Sequence, residues 1–236
     1  MEEFTDKIIL VTGAAGNIGQ AVVKAFINRG GTVCGLDHRS GRMDNLIRAS
    51  QTSKLFFPYE KIDVTDREGM ETLAERIHHE IGLVDVLVNT VGGFSYGELV
   101  HELSQETWQR MMNLNVQSFL SVSAAFVPHM LEKGRGKIIT IGAKAALKGS
   151  PNTGAYGAAK AALLRLTESM AEELKLEGIT VNSVIPGIIN TPENRQDMPG
   201  ADYSKWVSPE AVADLIVFLS SPESDRITGA AIPIYG

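Results

Sequence analysis

Cysteine is nearly absent from this 236-residue chain. Cys34 stands alone, so no disulfide forms within the chain and a reducing compartment is expected. Positive charge is also scarce: 22 Lys and Arg face 28 Asp and Glu, and a net charge of −6 argues against nucleic acid or an anionic membrane as partner. No apolar run approaches the roughly eighteen residues of a membrane span. The opening MEEFTDKIIL is acidic ahead of its first apolar run, so no secretory leader is expected and the chain reads as cytoplasmic. The five histidines show no ligand spacing, His78-His79 reads as a solvated helix end, and no metal site is expected.

Short β-rich apolar runs alternate with helical patterns. The runs cover 7–11, 32–36, 55–62, 84–88, 137–141, 180–185 and 230–234, and most are apolar throughout, as strands covered on both faces are. Helical spacing predicts helices over 18–29, 66–80, 105–131 and 153–176, and a last one capped by Ser208 with Pro209 in its first turn. This alternation predicts one α/β domain over 1–236, a doubly wound parallel sheet of about seven strands with helices on both faces. The polar, proline-bearing segment 188–207 is long for a connector and is expected to be a substrate loop.

IILVTGAAGNIGQAVV runs from strand into helix through Gly13, Gly16 and Gly19. Such a turn lets backbone N–H groups at a helix N-terminus face a pyrophosphate. Asp37 follows the second strand, where a carboxylate accepts both adenosine ribose hydroxyls and repels a 2′-phosphate, so NAD(H) is preferred. His38 and Arg39 follow directly and suit a 2′-phosphate, so NADP(H) stays open. Tyr156 and Lys160 are four apart, on one face of a helix. A free tyrosine, with a pKa of about 10, is too weak a base at neutral pH, and a nearby ammonium is expected to favour the phenolate. That makes Tyr156 a candidate general acid/base.

With these motifs in order, the chain resembles the short-chain dehydrogenase/reductase family over essentially its whole length. Thr12 to Gly19 is similar to that family's TGxxxGxG turn, in which Gly13, Ala15, Asn17, Ile18 and Gly19 take cofactor-binding positions. Asn17 replaces the usual middle glycine, and asparagine tolerates left-handed backbone better than other side-chain-bearing residues. The resemblance implies an adenine site at Asp63 and Val64 and an NxxG turn at Asn89 and Gly92. It also implies a stretch closing over the nicotinamide, at Pro186, Gly187, Ile189 and Thr191, and gives Lys160 the nicotinamide ribose as well. Asn115, rather than nearby Asn113, matches the helix asparagine that holds a proton-supplying water. A homodimer or tetramer built on the helices at 105–131 and 153–176 is implied too.

One position departs. The family's serine, which hydrogen-bonds the substrate carbonyl, lies thirteen residues before the tyrosine, and position 143 is alanine. A missing donor at a developing alkoxide costs roughly 3–4 kcal/mol in an enzyme that needs it. GAKAAL, the Gly92–Phe94 GGF and TPENRQDMPGADYSKW resemble the dihydropteridine reductase branch, which keeps only the tyrosine and lysine. This resemblance implies a quinonoid dihydropterin or related conjugated ring as substrate, with Ala143, Phe94, Met198, Tyr203 and Trp206 as candidate lining. Two alternatives stand beside it: a carbonyl or 3-oxoacyl-thioester reductase lacking the usual serine, and a non-catalytic dinucleotide-binding sensor. The intact Tyr156, Lys160 and Asn115 set favours an enzyme.

Overall fold

In a computed structural model describing residues 3–50 and 54–236, the apolar runs become seven parallel strands. These are β1 (Ile8–Thr12), β2 (Thr32–Asp37), β3 (Phe56–Glu60), β4 (Val86–Asn89), β5 (Gly136–Ile141), β6 (Ile179–Pro186) and β7 (Ala231–Ile234). They lie in the order β3-β2-β1-β4-β5-β6-β7, with Leu10 beside Cys34 on one side and Leu87 on the other. Because side chains alternate across a strand, both faces are apolar. Ile9, Val11, Val88 and Ile139 face helices α1 (Asn17–Ile27) and α8 (Pro209–Ser220), through Val22, Phe26, Val212 and Ile216. Leu10, Leu36, Leu87 and Ile138 face α3 (Arg67–Glu80) and α5 (Ser118–Lys133), through Met70, Ile77, Phe119 and Phe126. Cys34 is buried in this second layer, and burial pushes its thiol up to about 12, so it stays protonated and unreactive.

The strand order reverses between β1 and β4, which opens a crevice at their carboxyl ends, the usual ligand position in such sheets. The glycine turn leaves β1 there, and the Asn89–Gly92 turn leaves β4 beside it.

Three expectations need correction. The long helix expected over 105–131 is α4 (Gln105–Met112), a π-helical turn (Asn113–Gln117) and then α5, which runs on to a left-handed Gly134 cap. The single i→i+5 turn gives no signal in apolar spacing. The segment 188–207, expected as a loop, carries short helical turns of its own. Thr191 caps the short helix α7 (Pro192–Asp197) by accepting from Asn194 N, and one 3₁₀ turn covers Tyr203–Lys205. A further helix, α2 (Asp44–Ser50), was not foreseen. The Ser208 cap and Pro209 stand as expected, with Ser208 Oγ accepting from Ala211 N at 3.1 Å.

Candidate active site

The glycine turn is shaped by two positions where a side chain is excluded. Gly13 has φ +64°, and a Cβ there meets Thr90 Oγ1 at 3.0 Å. A Cβ on Gly19 falls 2.1 Å from the Gly13 carbonyl, so α1 lies directly on the turn. Asn17 has no left-handed backbone to tolerate: it is the first residue of α1, and its side chain donates from Nδ2 to Glu193 Oε2 at 2.9 Å. Gly16 offers no side-chain cap, which leaves the N–H groups at the start of α1 without one. Ile18 packs on the core beneath.

Around this turn the other nucleotide candidates gather. Asp37 is buried and accepts from Ala15 N at 3.3 Å and Arg39 N at 3.0 Å, with the exposed His38 Nδ1 3.6 Å away. Asn89 is buried and accepts from Thr12 Oγ1 at 2.9 Å, while its Nδ2 has no partner among the described residues. An orphaned donor at the crevice, a side-chain-free cradle and an uncapped helix start together fit a dinucleotide. Thr90, in the middle of the NxxG turn, donates to the Thr12 carbonyl at 2.6 Å and ties the two turns together, a contact no spacing foretold. Val64 is buried. Asp63 is exposed, and two hydrogen bonds from Thr65 hold its carboxyl below the usual range.

The second cluster sits on α6 (Gly154–Leu174) and the π-helical turn. Lys160 is fully enclosed, and its Nζ donates to the Ile141 carbonyl at the end of β5, 2.8 Å away. Burial lowers the lysine to about 8. Asn115 is buried; its Oδ1 accepts from Gly93 N at 3.2 Å, and its Nδ2 donates to Met111 O at 2.9 Å. Gly92 joins the two: a Cβ there comes within 2.8 Å of Asn115 Oδ1 and 3.1 Å of Lys160 Nζ. Asn113, by contrast, is exposed, and its side-chain oxygen accepts from Gln109 Nε2 at 2.8 Å. Tyr156 lies one turn before Lys160, half-buried, with the exposed Phe94 ring edge-on at 5.0 Å. Burial pushes the phenol up to about 12, against the expectation of a lowered value.

Ala143 is buried and extended, and no hydroxyl stands in its place. Ser150 remains on the exposed turn ahead of α6. Beside Phe94 a cleft of about 390 Å³ is lined by Ser95, Tyr96, Glu98, Arg110 and Ala155. The loop after β6 is zipped at its base, Asn190 N to Val207 O at 2.8 Å and Val207 N to Ile188 O at 2.9 Å. Pro186 closes β6, Gly187 N bonds Ile234 O, and Ile189 O accepts from Asn194 Nδ2 at 2.8 Å. Trp206 is buried against Tyr203, whose hydroxyl donates to Met198 O at 3.2 Å.

A glycine-cradled crevice at the switch point of a seven-stranded parallel sheet, with a Tyr-Lys helix at its rim, is the architecture of an α/β dinucleotide-dependent oxidoreductase. The family model for short chain dehydrogenases matches residues 7–201, and the chain belongs to that family of NAD(P)-dependent oxidoreductases. It is 31% identical to the 3-oxoacyl-[acyl-carrier-protein] reductase FabG of Thermotoga maritima, over 98% of this chain and 96% of that protein. It is 30% identical to 2-(S)-hydroxypropyl-CoM dehydrogenase 3 of Xanthobacter autotrophicus, with the same shares covered. A solved NAD+-bound xylitol dehydrogenase superposes with a TM-score of 0.91 at 25% identity, covering 99% of each chain. ElxO with NADP bound superposes at 0.89 and 27%, covering 97% of this chain and 96% of that one. No helix among the described residues is long and apolar enough to cross a membrane.

Proposed function

We propose that the chain transfers hydride between NAD(H) and a small organic substrate, with Tyr156 as the proton donor and acceptor. The observation that carries this reading is the convergence of Lys160 Nζ and Asn115 Oδ1 on Gly92, one helical turn behind Tyr156. The bound nicotinamide supplies or takes the hydride. The glycine turn, Asn89 and Asp37 hold the nucleotide, and Asp37 favours the unphosphorylated ribose. Pro186 to Thr191 would close over the nicotinamide, and Lys160 would hold its ribose. In the free chain Tyr156 keeps its proton throughout the physiological range, so its resting role is that of an acid that donates to a reduced substrate. Asn115 holds the water that returns the proton.

Ala143 narrows the substrate. Without a hydroxyl there, an alkoxide gains no donor from that position, which favours a conjugated, electron-poor ring such as a quinonoid dihydropterin, spread against Phe94. A second reading is a 3-oxoacyl thioester, favoured by the 31–33% identity to the acyl-carrier-protein reductases. NADH oxidation measured side by side with quinonoid dihydropterin, acetoacetyl thioester and a quinone separates them. A ring substrate preferred by about tenfold or more in kcat/KM, or about 1.4 kcal/mol, supports the first reading; the reverse order supports the second. Half-exposed Leu120 on α5, beside Met170 of α6, supports assembly as a homodimer or tetramer through these helices.

A further inference from the structure

The fold brings together three side chains that share no motif in the sequence. Glu75 and His78 are three residues apart on α3, hence on one face. His129 comes from the last turns of α5, which packs along α3. One ligand atom from each lies within 4.8 Å of the other two, and His129 Nε2 is already 3.3 Å from Glu75 Oε1. The His78 ring is 5.5 Å from the His129 ring and stacks on His79 at 5.8 Å, which holds it in place on the outer side.

We propose that Glu75, His78 and His129 bind a divalent transition-metal ion, zinc by preference, as a brace between α3 and α5. Two imidazoles and one carboxylate are borderline donors, suited to zinc, nickel or copper and poorly suited to magnesium or calcium. Tetrahedral zinc with ligand bonds of about 2.1 Å needs donor atoms about 3.4 Å apart. The Glu75–His129 pair meets that spacing as it stands, and His78 reaches it by a small side-chain adjustment. His129 is 13% exposed and Glu75 64%, so the site is held on one side and open on the other, where an ion enters and a water fills the fourth position.

The position excludes a catalytic part. His78 and His129 lie toward the carboxyl ends of their helices, and helices in a parallel α/β sheet run against the strands. The site is therefore at the edge opposite the crevice of Tyr156 and the glycine turn. At the other end of the same helix pair, Ser121 Oγ donates to the Thr65 carbonyl at 3.0 Å. The metal strengthens the opposite end, where His129 already meets Glu75 and Lys133 Nζ donates to the Leu83 carbonyl at 3.1 Å.

The test is calorimetric titration of the chelator-treated full-length chain with zinc chloride alone, beside thermal melting with and without zinc. One equivalent per chain with micromolar or tighter affinity, and a raised Tm, is the expected result. His78→Gln and His129→Gln each weaken binding by about tenfold or more and remove the Tm shift. His101→Gln, an exposed histidine outside the cluster, leaves both unchanged. Glu75→Gln, at a half-solvated position that folding does not need, repeats the loss if either histidine variant fails to fold. No saturable binding, or binding that survives in His78→Gln and His129→Gln, overturns the proposal. So does binding lost in His101→Gln.

Discussion

Asn17 Nδ2 donates to Glu193 Oε2 at 2.9 Å, so the first residue of α1 is tied to the helix inside the loop after β6. The nucleotide turn and the candidate substrate loop are thereby joined in the free chain. The bond also parks a carboxylate at the positive end of α1, where a pyrophosphate is expected to sit. Glu193→Gln keeps the geometry and removes the charge. It is expected to tighten NADH binding by about twofold to fivefold, the size of one helix-end charge interaction. Fluorescence titration checks this; weaker binding shows that the carboxylate organises the loop rather than opposing the phosphates.

Asp37 is held by Ala15 N and Arg39 N, so its oxygens face the turn in a set direction. NADH is expected to bind more tightly than NADPH, and Asp37→Ser to narrow the ratio by about tenfold, as for a ligand-facing charged hydrogen bond. Paired titrations decide it, and NADPH the tighter ligand in the parent chain contradicts the assignment.

Ala143→Ser restores a hydroxyl at the family's position. Turnover of simple ketones is expected to rise by about tenfold to a hundredfold, part of the span of one oxyanion donor, while a conjugated ring substrate changes by less than about twofold. A large change on the ring shows that this substrate does use the position.

Lys160 is enclosed and titrates at about 8 rather than 10.5. The unfolded chain therefore holds more protons between those values, so this lysine's cost to stability is full below about pH 8 and fades as pH rises toward 10.5. Lys160→Met is expected to be more stable than the parent at pH 7 by roughly 1–3 kcal/mol, reduced by the lost bond to Ile141, and to lose that advantage near pH 10. Denaturant melts at pH 7 and pH 10 measure it. Equal stability at both shows that Lys160 is better compensated than its burial implies.

Much of this molecule was legible in its sequence because local spacing carried it. The apolar runs set the strands, and the Tyr156–Lys160 interval set one helical face. What escaped is non-local or finer than periodicity. The π-helical turn that holds Asn115 leaves no mark on apolar spacing. The Lys160 ammonium goes to the Ile141 carbonyl at the end of β5, and burial shifts the tyrosine upward where spacing alone suggested a lowered value. The packing of Trp206 on Tyr203 within the loop left no mark on local spacing. His78 lies in the last turn of α3 as expected, but its neighbour His129 of α5 is distant in sequence and left no local signal.

The most direct measurement is steady-state NADH oxidation by Tyr156→Phe beside the parent, with NADH affinity measured on both. The phenylalanine keeps the ring that Phe94 packs against and removes only the proton donor. Turnover is expected to fall by about a hundredfold to ten-thousandfold with NADH affinity nearly unchanged. Undiminished turnover contradicts the assignment of Tyr156 as the acid/base group.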